Sequence, residues 1–353
     1  MTYNVPDQIH DEAELAQVLS QPYDETTEMM KRLEGDIMIL GVAGKMGPSL
    51  AHLAQRATTA AGVKRRIIGV SRFSEAEQQN RLNALGVETI ACDLSDPEAV
   101  GKLPRVPNVI FMAGRKFGDV GSEPLTWIMN AVVPGIVARH FAGSRLVAFS
   151  TGCVYPLSGH ENGGCSETAA PAPTGEYANS CLGRERIFEH YAAARQTPTL
   201  LYRLNYAIDL HYGVLNDVAE QVWNDKPVDL TVAWANVIWQ GDANNRALLC
   251  LEHTGVPAVA LNITGREMIS IADVARDFGR RWNKDVAFTG TPTGKQYLSD
   301  ASRSMELFGP PRVSFERLMD WTADWFVRGG ARINKPTHFT VTDGQFLDSK
   351  KER

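Results

Sequence analysis

The stretch IMILGVAGKMGPSLAHLA constrains the fold of this 353-residue chain more than any other. An apolar run at 37–42 passes through Gly41, Gly44 and Gly47 into a segment of helical character from Pro48 to Ala61. Strands buried on both faces read as continuous apolar runs, so the stretch predicts strand, glycine loop and helix in direct succession. Glycine at these points permits a sharp turn, close approach of backbone to a pyrophosphate, and tight packing of helix on strand. The helix N-terminus then presents N–H groups to phosphate. The spacing is GxxGxxG rather than GxGxxG, so its weight comes from the strand and helix around it.

Further short apolar runs follow at 66–71, 87–92, 108–113, 145–150 and 199–204, separated by helical stretches. Strand and helix in alternation predict an α/β fold, a doubly wound parallel Rossmann sheet with a smaller discontinuous substrate-binding lobe. The expected organisation is an N-terminal helical extension over 1–34, a dinucleotide-binding domain over 35–203 with 231–260, a lobe over 204–230 with 261–330, and an irregular tail over 331–353.

The formal net charge of -5 gives no basic footprint for nucleic acid or an anionic membrane. The five cysteines form no CxxC pair or Cys/His spacing, so neither a metal site nor a disulfide framework is expected. The first residues lack the basic start and apolar run of a signal peptide, and a cytoplasmic protein is expected. Where strand two ends, an acidic side chain favours NAD by bonding the ribose 2′-OH and a basic one accepts the 2′-phosphate of NADP. Here stand Ser71 and Arg72, with Lys45 in the glycine loop, which favours NADP within an NAD(P) reading.

Taken together, the motifs resemble the extended short-chain dehydrogenase/reductase family, the NAD(P)-dependent epimerase/dehydratase group, over about Asp36 to Phe326. GVAGKMG resembles its cofactor loop, which implies cofactor contacts from Gly41, Gly44, Lys45, Met46 and Gly47. Asp93 and Leu94 resemble its adenine contact. FMAGRKFG resembles the loop in which Ala113 and Gly114 line the cofactor and Lys116 reaches its phosphates. Asn130 falls where the family places an asparagine behind the active site. FSTGCVYP supplies Thr151 as the matching hydroxyl and Cys153 beside it, and EYANSCLGRERIFE supplies Tyr177 as the catalytic tyrosine. YRLNYA carries Arg203 and Asn205. A small-molecule substrate and homodimerisation through the helices around Asn130 and Tyr177 are implied.

Catalysis of this type requires a phenol that ionises below its usual value near 10, helped by a nearby cation and the positive nicotinamide ring. The family's lysine sits four residues after the tyrosine, on the same helical face. Here that position is Cys181, which carries no charge as a thiol. Arg184, seven residues after Tyr177, lies on the same face and offers a substitute positive field; the alternatives are another proton-transfer group, or cofactor binding without turnover. Cys181 is itself a candidate, although a small buried thiol is the simpler reading.

Substrate identity is less constrained. In VAWANVIWQGDANNRAL, Ala235 and Asn236 stand where nucleotide-sugar enzymes of the family carry arginine and aspartate, which argues against a nucleotide diphosphate unless Arg246 stands in. Trp239, with Trp223 and Trp234, is a candidate face for a sugar ring, and Gln240 and Asp242 are candidate polar contacts. The expected activity is an NAD(P)-dependent oxidoreductase or epimerase acting on a secondary alcohol or ketone of a small sugar or sugar acid. The alternatives are a nucleotide-sugar epimerase or dehydratase, and a non-catalytic NAD(P)-binding sensor or scaffold.

Overall fold

A computed structural model describes residues 3–116, 121–333 and 337–346. Six strands form where the apolar runs place them: β1 Ile37–Leu40, β2 Ile67–Ser71, β3 Glu88–Ala91, β4 Asn108–Phe111, β5 Arg145–Thr151 and β6 Thr199–Leu204. They join one seven-stranded sheet in the order Val259–Ile263, β6, β5, β4, β1, β2, β3, every neighbour parallel. The order reverses between β1 and β4, and ligands bind beyond the carboxyl ends of the strands at such a switch point. The glycine loop leaves β1 and the Met112–Lys116 segment leaves β4 at that crevice.

Strand Val259–Ile263 is a difference from the sequence reading, whose boundary at 260 runs through it. Its fourth residue is Asn262, fully buried, which donates to the carbonyls of Cys165 and Asp300 and accepts from Tyr155. A polar residue with internal partners breaks the apolar run without breaking the strand.

The N-terminal segment forms helices α1 Glu12–Leu19 and α2 Asp24–Arg32, but it is not an appendage. Met29 and Met30 join the core under the sheet, while Leu15, Val18 and Leu19 join that of the smaller lobe. Tyr3 and Tyr23 both donate their hydroxyls to Asp242, a buried carboxylate that also accepts from the backbone of Val313. Asp242 is therefore a structural node joining both ends of the chain, not a substrate contact.

Candidate functional site

Helix α3, Gly47–Ala61, begins where the glycine loop ends. Gly41 has φ +88°, and a Cβ there would lie 2.7 Å from the backbone nitrogen of Ala113, so the loops after β1 and β4 touch at this glycine. Gly47 is buried, and a Cβ on it would come within 2.1 Å of the Val42 carbonyl. Gly47 thus sets the closeness of helix and strand and is not among the residues lining the cleft. Gly47→Ala is expected to cost roughly 1–3 kcal/mol, because the obstructing atom is backbone. Urea unfolding measures this, and an unchanged midpoint would contradict the packing role.

Two continuous cavities open along the crevice. The outer one, of about 450 Å³, is lined by Gly41, Gly44, Ser71, Arg72, Asp93 and Leu94, with Ala113 and Gly114 on its inner side. The inner one, of about 340 Å³, shares Gly44 and Gly114 and continues past Lys45, Met46, Thr151, Cys153, Tyr177 and Asn205. No side chain caps α3 and no acidic residue stands in its first turn, so the positive end of the helix is left to a ligand anion. A glycine-lined cleft leading from that helix end suits a dinucleotide.

Tyr177 lies on the long helix Gly175–Arg195 and lines the inner cavity together with Thr151 at the end of β5. Burial raises the phenol well above its ordinary value, Cys181 and Cys153 raise it further, and Arg184 and Thr151 oppose them. Arg184 is 6% exposed and lines the inner cavity. Its guanidinium donates to the Phe149 carbonyl at 2.8 Å and to Asn130 Oδ1 at 2.7 Å, and no carboxylate pairs with it among the described residues. Gly114 makes room for it, since a Cβ there would lie 2.6 Å from Arg184 Nη2.

Asn130 lines neither cavity. It grips the peptide of Arg115 from both sides, accepting from the nitrogen and donating to the oxygen at 2.8 Å, which fixes the loop after β4. Cys181 is fully buried and lines neither cavity, and burial pushes its thiol up to about 11. A neutral thiol buried behind Tyr177, with no surface on the cleft, is poorly placed as nucleophile or base, which argues against its place among the catalytic candidates. Trp239 is a second correction. It is fully buried against Trp321 in the lobe core, at 5.2 Å between ring centres, out of reach of a substrate. Trp223 packs on Trp282 in the same core, and Gln240 donates to Ser49 Oγ, also away from the cleft.

Lys116 takes a course different from the expected one. Its Nζ donates to the carbonyl of Thr337, and it lies 4.7 Å from the ring centre of Phe346 and 5.9 Å from that of Tyr177. Lys45 reaches to 3.1 Å over the ring of Tyr212. Asn205 lines the inner cavity while donating to Asn236 Oδ1 and the Tyr297 carbonyl. Sequence reasoning does not single out Tyr206, Tyr212 or Thr337, which complete the lobe side of this cavity. Tyr206 directly follows the YRLN signature and was within reach of that reading; Thr337 arrives from the far end of the chain and carries no local signal.

Ala235 and Asn236 are buried, and Asn236 is spent on Asn205 and the Ser299 carbonyl. Arg246 is buried with its guanidinium on Ser304 Oγ and the Gly309 carbonyl, so it does not stand in as a phosphate ligand. No group of side chains suited to a metal ion occurs among the described residues. No helix of the described residues is long and apolar enough to cross a membrane.

The family model for the NAD dependent epimerase/dehydratase family matches residues 37–213. No curated protein matches the chain significantly in sequence. Among solved structures, the Bacillus cereus UDP-glucuronic acid 4-epimerase in complex with NAD is 18% identical, covering 83% of this chain and 99% of its own, with a TM-score of 0.66. The Thermotoga maritima UDP-glucose 4-epimerase with UDP-glucose is 17% identical over 83% and 99%, with a TM-score of 0.66. The Bacillus anthracis dTDP-glucose 4,6-dehydratase in complex with NAD is 17% identical over 83% and 96%, with a TM-score of 0.68. At these identities the likeness establishes the fold.

Proposed function

The chain belongs to the NAD dependent epimerase/dehydratase family, and from that premise we propose that it oxidises or reduces a secondary alcohol or ketone on a small sugar or sugar acid. The observation that carries the reading is that Tyr177 and Thr151 line one cavity, continuous at Gly44 and Gly114 with the glycine-lined cleft. A nicotinamide dinucleotide bound along that cleft supplies the hydride acceptor or donor. Gly41, Gly44, Ala113 and Gly114 would border it, and the end of α3 would face its phosphates.

Thr151 holds the reacting oxygen of the substrate, and Tyr177 exchanges a proton with it. Burial keeps that proton on the phenol, which suits a donor to a developing alkoxide. In the opposite direction the phenol must first lose it, and Arg184 supplies the positive field that Cys181 does not. The guanidinium is held by neutral oxygens and stands on the same helical face as Tyr177. Arg184 is a positioning and field residue in this account, and Tyr177 is the catalytic one.

A small substrate is favoured over a nucleotide sugar because Ala235 is buried and Arg246 is turned into the core. A homodimer is supported by Leu125, Trp127, Ile128 and Val132, an exposed apolar row just before and after Asn130.

Arg72 is exposed and lines the outer cavity with Ser71 and Ser74; hydrogen bonds from Ser95 hold the Asp93 carboxyl below its usual range, and the Arg72 charge adds to them. This supports NADP over NAD. Fluorescence titration is expected to give tighter binding of NADPH than of NADH, and Arg72→Ala is expected to weaken NADPH alone, on the order of tenfold for one lost charged contact. Equal losses for both would contradict the NADP reading. Nicotinamide absorbance with a panel of aldonates, free sugars and their ketones tests the reaction itself; turnover confined to UDP-sugars would replace the small-substrate reading.

A further inference from the structure

Residues 337–346 of the tail pack against the rest of the molecule. Between Thr337 and Phe346 the tail crosses from the lobe to the sheet domain directly beside Tyr177. On the lobe side, Thr337 donates both its backbone N–H, at 2.9 Å, and its hydroxyl to Asp217 on helix Val214–Trp223. Phe339 is buried in the lobe core. On the other side, Lys116 donates to the Thr337 carbonyl at 3.3 Å, and Phe346 meets the Tyr177 ring edge-on at 5.5 Å.

Gly344 and Gly175 press backbone on backbone. A Cβ on Gly344 would lie 2.3 Å from the Thr174 carbonyl, and one on Gly175 would lie 2.4 Å from the Gly344 carbonyl. Gly175 is the first residue of the helix that carries Tyr177. The contact has no slack, so the strap and the Tyr177 helix hold one fixed spacing. Bonded to both sides of the cleft, a segment of this kind bridges it.

We infer that residues 337–346 form the outer wall of the reaction pocket and set its substrate size, admitting a single ring or open-chain polyol and excluding a nucleotidyl group. The inference deepens the proposed function and rests on it for the substrate class. Thr337 itself lines the inner cavity, whose roughly 340 Å³ must hold the nicotinamide end and the substrate together. That volume is near the lower limit for small-molecule sites, and Thr337 of the strap closes one side of it. Asp217, raised by burial to about 6, is the stronger anchor as the carboxylate, whose charged oxygen accepts both Thr337 donors.

The test compares the full chain with Phe346→Ala, with Thr337→Val and with a chain ending at Ile333. UDP-glucose and gluconate are the probes, titrated by calorimetry in the presence of NADPH. The full chain is expected to bind gluconate and not UDP-glucose, and the variants are expected to gain UDP-glucose affinity on the order of tenfold or more while NADPH affinity holds. An unchanged ranking of the two probes in all three variants would overturn the inference. Nitration of Tyr177 by tetranitromethane, read by peptide mapping, provides a measure independent of any substrate. Slow labelling in the full chain and fast labelling in the variants is expected even if neither sugar probe binds, and equal labelling would remove the wall. Absence of both NADPH and sugar binding with strap-dependent labelling would instead count against the proposed function alone.

Discussion

Tyr177→Phe is expected to lower kcat by about 10²–10⁴-fold, the usual contribution of a positioned proton donor, while the dissociation constant for NADPH stays near that of the parent protein. The substitution removes one oxygen and leaves the ring that Phe346 contacts, so the helix and strap stay in place. Steady-state kinetics paired with cofactor titration separates the two effects. A loss of cofactor binding equal to the loss of kcat would mean that the phenol only packs. Arg184→Met gives the complementary signature. Without the guanidinium the Tyr177 phenol holds its proton more tightly, so the rise of alcohol oxidation with pH moves to higher pH. Ketone reduction, which uses the protonated phenol, is expected to keep its neutral-pH rate more nearly. Identical shifts in both directions would argue for a purely structural arginine.

The second large effect lies behind the site. Arg203 on β6 and Glu185 on the long helix form a buried pair, with Nε and Nη2 of the guanidinium at 2.9 and 2.7 Å from the two carboxylate oxygens. Ser150 at the end of β5 donates to the same carboxylate at 2.5 Å, and Arg203 Nη1 donates to the Tyr155 hydroxyl at 2.7 Å. Removing one partner leaves an unpaired charge in the interior, so Arg203→Met is expected to cost about 3–5 kcal/mol in urea unfolding. Arg203→Met with Glu185→Leu removes both charges and is expected to recover much of that loss. A double variant less stable than the single one would mean that the pair itself, and not the stranded carboxylate, carries the stability.

How much of this was legible depended on whether a residue's role was set locally. β1 to β6 could be read because a strand buried on both faces must be apolar almost throughout, and the glycine loop could be read because turn, strand and helix are consecutive. Arg184 was legible too, since helical spacing alone puts it on the face of Tyr177. Strand Val259–Ile263 was missed because Asn262 interrupts its pattern, and its justification lies in carbonyls far away in sequence.

Trp239 misled for a related reason. A tryptophan reads alike whether it faces a sugar or another ring, and only Trp321 decides between them. Lys116 and Thr337 are more than two hundred residues apart, so neither sequence neighbourhood reveals that they meet over Tyr177. The departure at Cys181 was visible at once, but its consequence was not. The thiol turned out to be a filled volume, while the charge sits one helical turn further on, where Gly114 makes room for it.

Transfer of deuterium from C4-deuterated NADH and NADPH tests the central claim most directly. Incubated with keto forms of small sugars and sugar acids, the protein is predicted to place the label on the carbon that bears the new hydroxyl, and Tyr177→Phe is predicted to abolish that transfer while still binding the cofactor. Cofactor bound in the cleft with no label passing to any sugar, keto acid or nucleotide sugar, and with no difference between the protein and the variant, would contradict the account.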